Sequence, residues 1–168
     1  MRQTKTLEHR DRSRPWTATD LSKAELLSHL QALLAEKVRA VEAEITSTLD
    51  ARNSDTKSSA GDKHEVGRAM IQQELDRQEA QLAKLRTFQQ DLARIPMESV
   101  SERAVFGSLV HTDQGPYLLA IGLGPVVVNG TTCFAVSLAS PIGQSLKHKK
   151  AGDVTRFNGR TITVLRIS

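Results

Sequence analysis

A single cysteine, Cys133, rules out an internal disulfide. It stands in the apolar run Cys133-Phe134-Ala135-Val136, where a thiol is expected to be buried and structural. The five histidines (His9, His29, His64, His111 and His148) show no metal-ligand spacing, and no Cys-x-x-Cys pair is present, so no zinc site is expected. Aromatics make up only 4% of the chain, too few to line a large ligand pocket. No small-molecule substrate is expected on that ground. No apolar run approaches the roughly 20 residues that span a bilayer, so no membrane partner is expected. The opening stretch MRQTKTLEHRDRSRPW lacks the apolar core of a secretory signal, which leaves a cytoplasmic protein as the expectation.

What the chain has is charge and pattern. Its 168 residues carry a net charge of +4, distributed unevenly. Residues 1–16 hold five basic and two acidic residues, residues 17–97 eleven and thirteen, and residues 98–168 seven and four. Basic ends around a slightly acidic middle suit a nucleic-acid-rich or acidic partner, although solvated surfaces also look this way. Residues 1–16 are polar and aperiodic and read as a disordered basic tail closed by Pro15.

From about Asp20 to Leu49 the spacing predicts a long helix, capped by Thr17 or Thr19. Leu27, Leu30, Leu34, Val38, Val41, Ile45 and Leu49 recur at steps of three and four, forming one apolar stripe. A second stripe runs through Ile71, Leu75, Leu82, Leu85, Phe88, Leu92 and Ile95, and Pro96 closes it. Between them, Asp50–Val66 reads as loop, rich in Ser, Asp, Asn and Gly. Two such helices should pack antiparallel along a narrow seam, as an arm about 45 Å long. The hairpin is expected to occupy residues 17–97.

After Pro96 the composition shifts to Val, Ile, Leu, Thr and Gly. Strands are expected at Ala104–His111, Tyr117–Ile121, Val126–Val128, Thr132–Ser137, Val154–Phe157 and Thr161–Ile167. Asp113-Gln114-Gly115-Pro116, Asn129-Gly130 and Asn158-Gly159 mark turns between them. One short helix interrupts the strands: Ser140 is a good N-cap, Pro141 suits the first helical position, and Gly152 is expected just past the helix end. The fold class is therefore α+β: an antiparallel coiled-coil hairpin followed, over residues 98–168, by a small antiparallel β domain with one helix.

The segment Ala139–Val154, ASPIGQSLKHKKAGDV, resembles the C-terminal signature of the Gre transcript-cleavage factors. The matching positions are Ser140, Pro141, Ile142, Gly143, Leu146, Lys150, Gly152 and Asp153. The order of elements is also similar, and the resemblance spans about residues 17–168. It implies an FKBP-like C-terminal domain that docks on RNA polymerase at its secondary channel, with Ser140, Pro141, Ile142, Lys149 and Lys150 as contact residues. It further implies an arm that carries tip carboxylates to a Mg²⁺ in the polymerase active centre, acting on the 3′ end of the nascent RNA only indirectly. Two carboxylates are a fitting contribution, because Mg²⁺ takes oxygen ligands and a second metal clamps the attacking and leaving oxygens. On this reading the chain is a transcription elongation factor, monomeric, with no cofactor of its own, and not itself an enzyme. It stimulates the polymerase's own nuclease. It belongs among DNA-binding transcription proteins by company, since nothing in the sequence reads bases.

The candidate carboxylates are Asp55, Asp62 and Glu65, with Asp50 nearby. Asp62 and Glu65 are three apart and share a face if the second helix has begun there; each also suits a helix N-terminus. The family's tip runs Asp, then Glu three residues on, then Asn-Ala and an aromatic. Asp55 and Ala60 match, Ser58 and Ser59 replace the Glu and Asn, and no aromatic follows. Two alternatives therefore stay open: a secondary-channel binder that regulates polymerase without cleavage, and a structural hairpin that mediates coiled-coil contacts. Prolyl isomerase activity is not expected, because the domain offers only Tyr117, Phe106, Phe134 and Phe157 for an aromatic pocket.

Overall fold

The computed structural model of the protein describes residues 21–55, 62–97 and 101–168. The basic tail, the expected caps Thr17 and Thr19, and Ser58, Ser59 and Ala60 lie outside the described residues. Two long helices come first, α1 (Lys23–Asp55) and α2 (Asp62–Ala93), packed against each other. Six strands follow: β1 (Leu109–Thr112), β2 (Gly115–Ala120), β3 (Gly124–Val128), β4 (Thr131–Ser137), β5 (Val154–Phe157) and β6 (Arg160–Ile167). A short helix, α3 (Pro141–Leu146), separates β4 from β5. The fold is α+β, a helical hairpin and a mostly antiparallel sheet with one small helix.

The start of α1 is fixed locally. The Ser22 hydroxyl accepts from the Glu25 N–H at 3.1 Å, and the Glu25 carboxylate accepts from the Ser22 N–H at 3.4 Å. This reciprocal capping box satisfies two otherwise unpaired donors and sets the boundary at Ser22. At the other end both helices run further than the composition suggests. Residues 50–55 continue α1, and α2 has begun by Asp62, so most of the expected Asp50–Val66 loop is helical. Extending an established helix adds one hydrogen bond per residue fixed, which outweighs weak local propensity. The Ser54 hydroxyl bonds back to the Asp50 carbonyl at 2.9 Å, the pattern a serine adopts inside a helix.

The hairpin is anchored at its base. Leu26, Leu27, Leu30 and Leu34 of α1 join Leu92 and Ile95 and one face of the sheet in a single core, with Leu109, Leu118, Val126, Val128 and Cys133 on the sheet side. Burial fades outward: Val38 and Val41 are still buried, Ile45 and Leu49 only partly. Beyond them Val66 and Met70 are exposed at 61% and 66%. The seam also contains a polar residue that the apolar stripe skips. Gln78 sits midway between Leu75 and Leu82 and is only 5% exposed. Its amide nitrogen donates to Glu74 at 2.9 Å, while its oxygen has no hydrogen-bond partner among the described residues.

The sheet order is β3-β4-β2-β1-β6-β5. All neighbours are antiparallel except β2 and β4, which run parallel from Tyr117↔Phe134 to Ala120↔Ser137. The hairpins β3–β4 and β5–β6 turn on Asn129-Gly130 and Asn158-Gly159, and all four residues have positive φ (49°, 78°, 50° and 75°). That is the twist-matched turn that Asn-Gly favours. The first expected strand is shorter than its apolar run. Gly107, at φ 85°, turns the chain against the Ile95 side chain, and pairing starts only at Leu109. The far face of the sheet carries a second core in which Ile142 and Leu146 of α3 pack with Val110, Leu119, Ile162 and Val164.

Cys133 is fully buried in the first core, and desolvation there pushes its thiol up to about 12. Reaction with an aromatic disulfide reagent at pH 8 should be on the order of a thousandfold slower in the folded protein than in urea. Because the fold holds the protonated thiol, its contribution is complete below the unfolded pKa. It is lost as pH rises from there toward about 12, so alkaline melts should show falling stability in that window. Gln78→Leu should raise stability by about 1–2 kcal/mol in urea unfolding, since it removes a buried acceptor without a partner and extends the apolar seam.

Candidate functional site

Three groups of residues stand out chemically: the acids at the far end of the hairpin, the capped start of α3, and the cations around it. Asp55 is the last residue of α1 and Asp62 the first of α2, so both stand at the end of the hairpin away from the sheet. Their side chains lie outside the described residues. The second helix has begun at Asp62, so Asp62 and Glu65 occupy positions three apart on one helix. Glu65 and Asp50 are exposed.

The start of α3 is built by its own sequence. Ser140 is extended (φ −69°, ψ 152°), its hydroxyl accepts from the Gly143 N–H at 3.1 Å, and the same hydroxyl donates to the Ser137 carbonyl at 2.6 Å. Pro141 occupies the first turn, where its missing N–H costs nothing. Ile142, at 9% exposure, faces the second core, while Pro141 is exposed and Ser140 half-exposed. Gly143 is required sterically, because a Cβ there would collide with the Ser137 carbonyl oxygen. The helix ends at Leu146, with the Lys147 N–H on the Gly143 carbonyl and His148 at φ 63°. Gly152 is thus not the residue just past the helix. It lies in the following turn, where its N–H joins the Val164 carbonyl at 2.8 Å. The chain leaves α3 early because the Lys147–Lys149 segment is zipped to Ala104 by two backbone hydrogen bonds of 2.7 and 2.8 Å.

The cations follow from this path. Lys147 and Lys150 are exposed and Lys149 half-exposed in the α3–β5 connection. Arg103 joins them, its guanidinium donating to the His148 carbonyl at 3.2 Å. Asp153 turns inward on the backbone, its carboxylate accepting from the Lys150 N–H at 2.8 Å. The ion pairs found among the described residues (Arg77–Glu74, Arg86–Glu42 and Arg94–Asp91) all lie in the hairpin. All three are largely open to solvent and contribute little stability.

Two features escape sequence reading. Tyr117 and Phe134, on the parallel neighbours β2 and β4, stack with centroids 5.3 Å apart at 24°. Burial raises the Tyr117 hydroxyl above its ordinary range, and the Asp113 carboxylate adds to this while Arg160 opposes it. His111, buried on β1, lies 3.2 Å from the Arg166 guanidinium. Arginine only donates, so that ring nitrogen is the unprotonated one.

No protein-family model matches the chain, and no curated protein matches it. Among solved structures it is similar to the transcription factor Gfh1, at 19% identity, over 82% of this chain and 92% of that one, with a TM-score of 0.34. A likeness of that size assigns no role to any residue here. Among the described residues no group of three His, Cys, Asp or Glu is placed to hold a metal, and no helix is long and apolar enough to cross a membrane.

Gly143→Ala should destabilise the protein by about 1–3 kcal/mol, because the added methyl must displace backbone rather than a flexible side chain. Differential scanning calorimetry should then show Tm lowered by several degrees.

Proposed function

We propose that the protein is a transcription elongation factor that enters the secondary channel of RNA polymerase and promotes cleavage of backtracked RNA. The single observation that carries this reading is the conjunction of two parts. One is an arm of 33- and 32-residue helices bearing Asp55, Asp62 and Glu65 at its far end. The other is the Ser140-Pro141-Ile142-Gly143…Lys150…Gly152-Asp153 signature folded as a capped helix on the sheet. Helices of about 33 residues run roughly 50 Å, long enough to carry chemistry deep into another protein. The chain itself has no catalytic work in this scheme. Its tip acids share a Mg²⁺ with the polymerase, and Ser140, Pro141, Lys149 and Lys150 contact the polymerase surface. Ile142 serves from beneath by holding α3.

A second reading is favoured by one specific observation: Ser58 and Ser59 stand where the cleavage factors have a Glu and an Asn. A binder of the same channel that regulates polymerase without promoting cleavage would tolerate that change. Stalled, backtracked elongation complexes with Mg²⁺ separate the two. The wild-type protein should shorten the RNA from its 3′ end. The Asp55→Ala/Asp62→Ala/Glu65→Ala variant should fall to the background rate while still competing for the channel. Competition by the wild type without any cleavage establishes the regulator instead, and no affinity for polymerase at all removes both readings in favour of a structural hairpin.

A further inference from the structure

Near the base of the arm, the two helices and the sheet border an open groove of about 370 Å³. Its sides come from matching positions. Lys37, Ala40, Val41 and Glu44 are spaced i, i+3, i+4, i+7 on α1, and Gln81, Lys84, Leu85 and Phe88 repeat that spacing on α2. Gly122 and Leu123, in the β2–β3 connection, close it on the sheet side. Val41 and Leu85 are buried, and half-buried Phe88 and Leu123 pack on the same core, so the lining has an apolar floor. Ala40 and Gly122 contribute little bulk, which leaves the space open. Lys37 and Lys84 are exposed, and neither forms an ion pair among the described residues. The Lys84 ammonium lies over the Phe88 ring, 5.6 Å from its centroid, which holds that charge at the groove. Glu44, the acid of this lining, acts electrostatically on Arg77, a turn of α2 nearer the tip than Gln81.

We propose that this groove binds a small organic anion with an apolar body, its charged group on Lys37 and Lys84 and its body on Leu85, Phe88 and Leu123. Two lysines without acid partners select negative charge. The apolar floor selects against a bare inorganic ion, which would leave that surface in water. The size selects a small molecule: seven residues of helix rise only about 10 Å, and clefts for organic ligands begin at roughly 300 Å³. Scarcity of aromatics rules out a pocket walled by rings, but a groove of this kind uses only Phe88. The occupant touches α1, α2 and the β2–β3 connection at once, so binding ties the arm to the sheet. None of these residues belongs to the hairpin tip or to α3, and the inference stands apart from the polymerase reading.

Titration of the full chain with anilinonaphthalene sulfonate, read by the dye's fluorescence, tests this. One saturable site is expected. Octanoate should displace the dye, whereas acetate, which lacks the body, and octanol, which lacks the charge, should not at the same concentration. Lys37→Gln/Lys84→Gln should weaken both dye and octanoate at least about tenfold. Ala40→Glu, at an exposed helix position, should abolish binding by filling the groove and repelling the anion. Lys147→Gln/Lys150→Gln, in the α3–β5 connection, should change nothing. Circular dichroism melts confirm that each variant is folded, and octanoate should raise the Tm of the wild type but not of Ala40→Glu. Absence of saturable binding overturns the inference, and so does unchanged affinity in either groove variant. Displacement by octanol as effective as by octanoate overturns the anion, and displacement by acetate overturns the apolar body. A loss in Lys147→Gln/Lys150→Gln as large as in the groove pair puts the site elsewhere.

Discussion

Four leucines hold this molecule's two halves together. Leu26, Leu27, Leu30 and Leu34 are shut away almost wholly from solvent, and they do so against both α2 and the sheet. Each contributes about 1.5–3 kcal/mol by leaving water. They fill one core rather than two, so the base of the arm and the near face of the sheet form a single packed unit. Everything more distant inherits its position from that unit. The outer hairpin has only a thinning seam, with Gln78 in its middle and an exposed Val66 and Met70 near its end.

The opposite face of the sheet is organised on a smaller scale. Six residues of helix cover it, and their placement depends on contacts within a few ångströms of Ser140. A hydroxyl that caps the helix and also ties it to the Ser137 carbonyl fixes both the direction and the height of α3. Gly143 permits that close approach. The lysines that follow are exposed for the same reason, because the backbone is drawn off to Ala104 before the helix can turn them inward.

Much of the fold is legible in the sequence where the cause is local. The helical stripes, both Asn-Gly turns and the Ser-Pro start of α3 are set by neighbours within a turn or two. The Ser22–Glu25 box was legible too, as Ser-x-x-Glu before an apolar run, and outweighs the threonines upstream. The length of the hairpin was not, because helix propagation through residues 50–55 overrides their loop-like composition. Nor was the parallel β2–β4 pair, which no local signal specifies. The candidate sites divide along the same line. The acids Asp55, Asp62 and Glu65 can be named from the chain, but what their carboxylates reach depends on the turn between the helices. The Tyr117–Phe134 stack exists only once strand order brings β2 and β4 together.

The shared core also fixes a sequence of events in time. The leucines of α1 find their final partners, Val126, Val128 and Cys133, about a hundred residues later in the chain. Strand β1 is likewise left with an open side until β6, some fifty residues on, pairs with it from Val110↔Ile167 to Thr112↔Val164. Helices form within about a microsecond, whereas pairings this distant must first close long loops. During synthesis the arm is therefore assembled while its anchor is still missing. A newly emerged hairpin shows its leucine row to the surroundings until the sheet arrives, and this interval is when the protein is most exposed to misassembly.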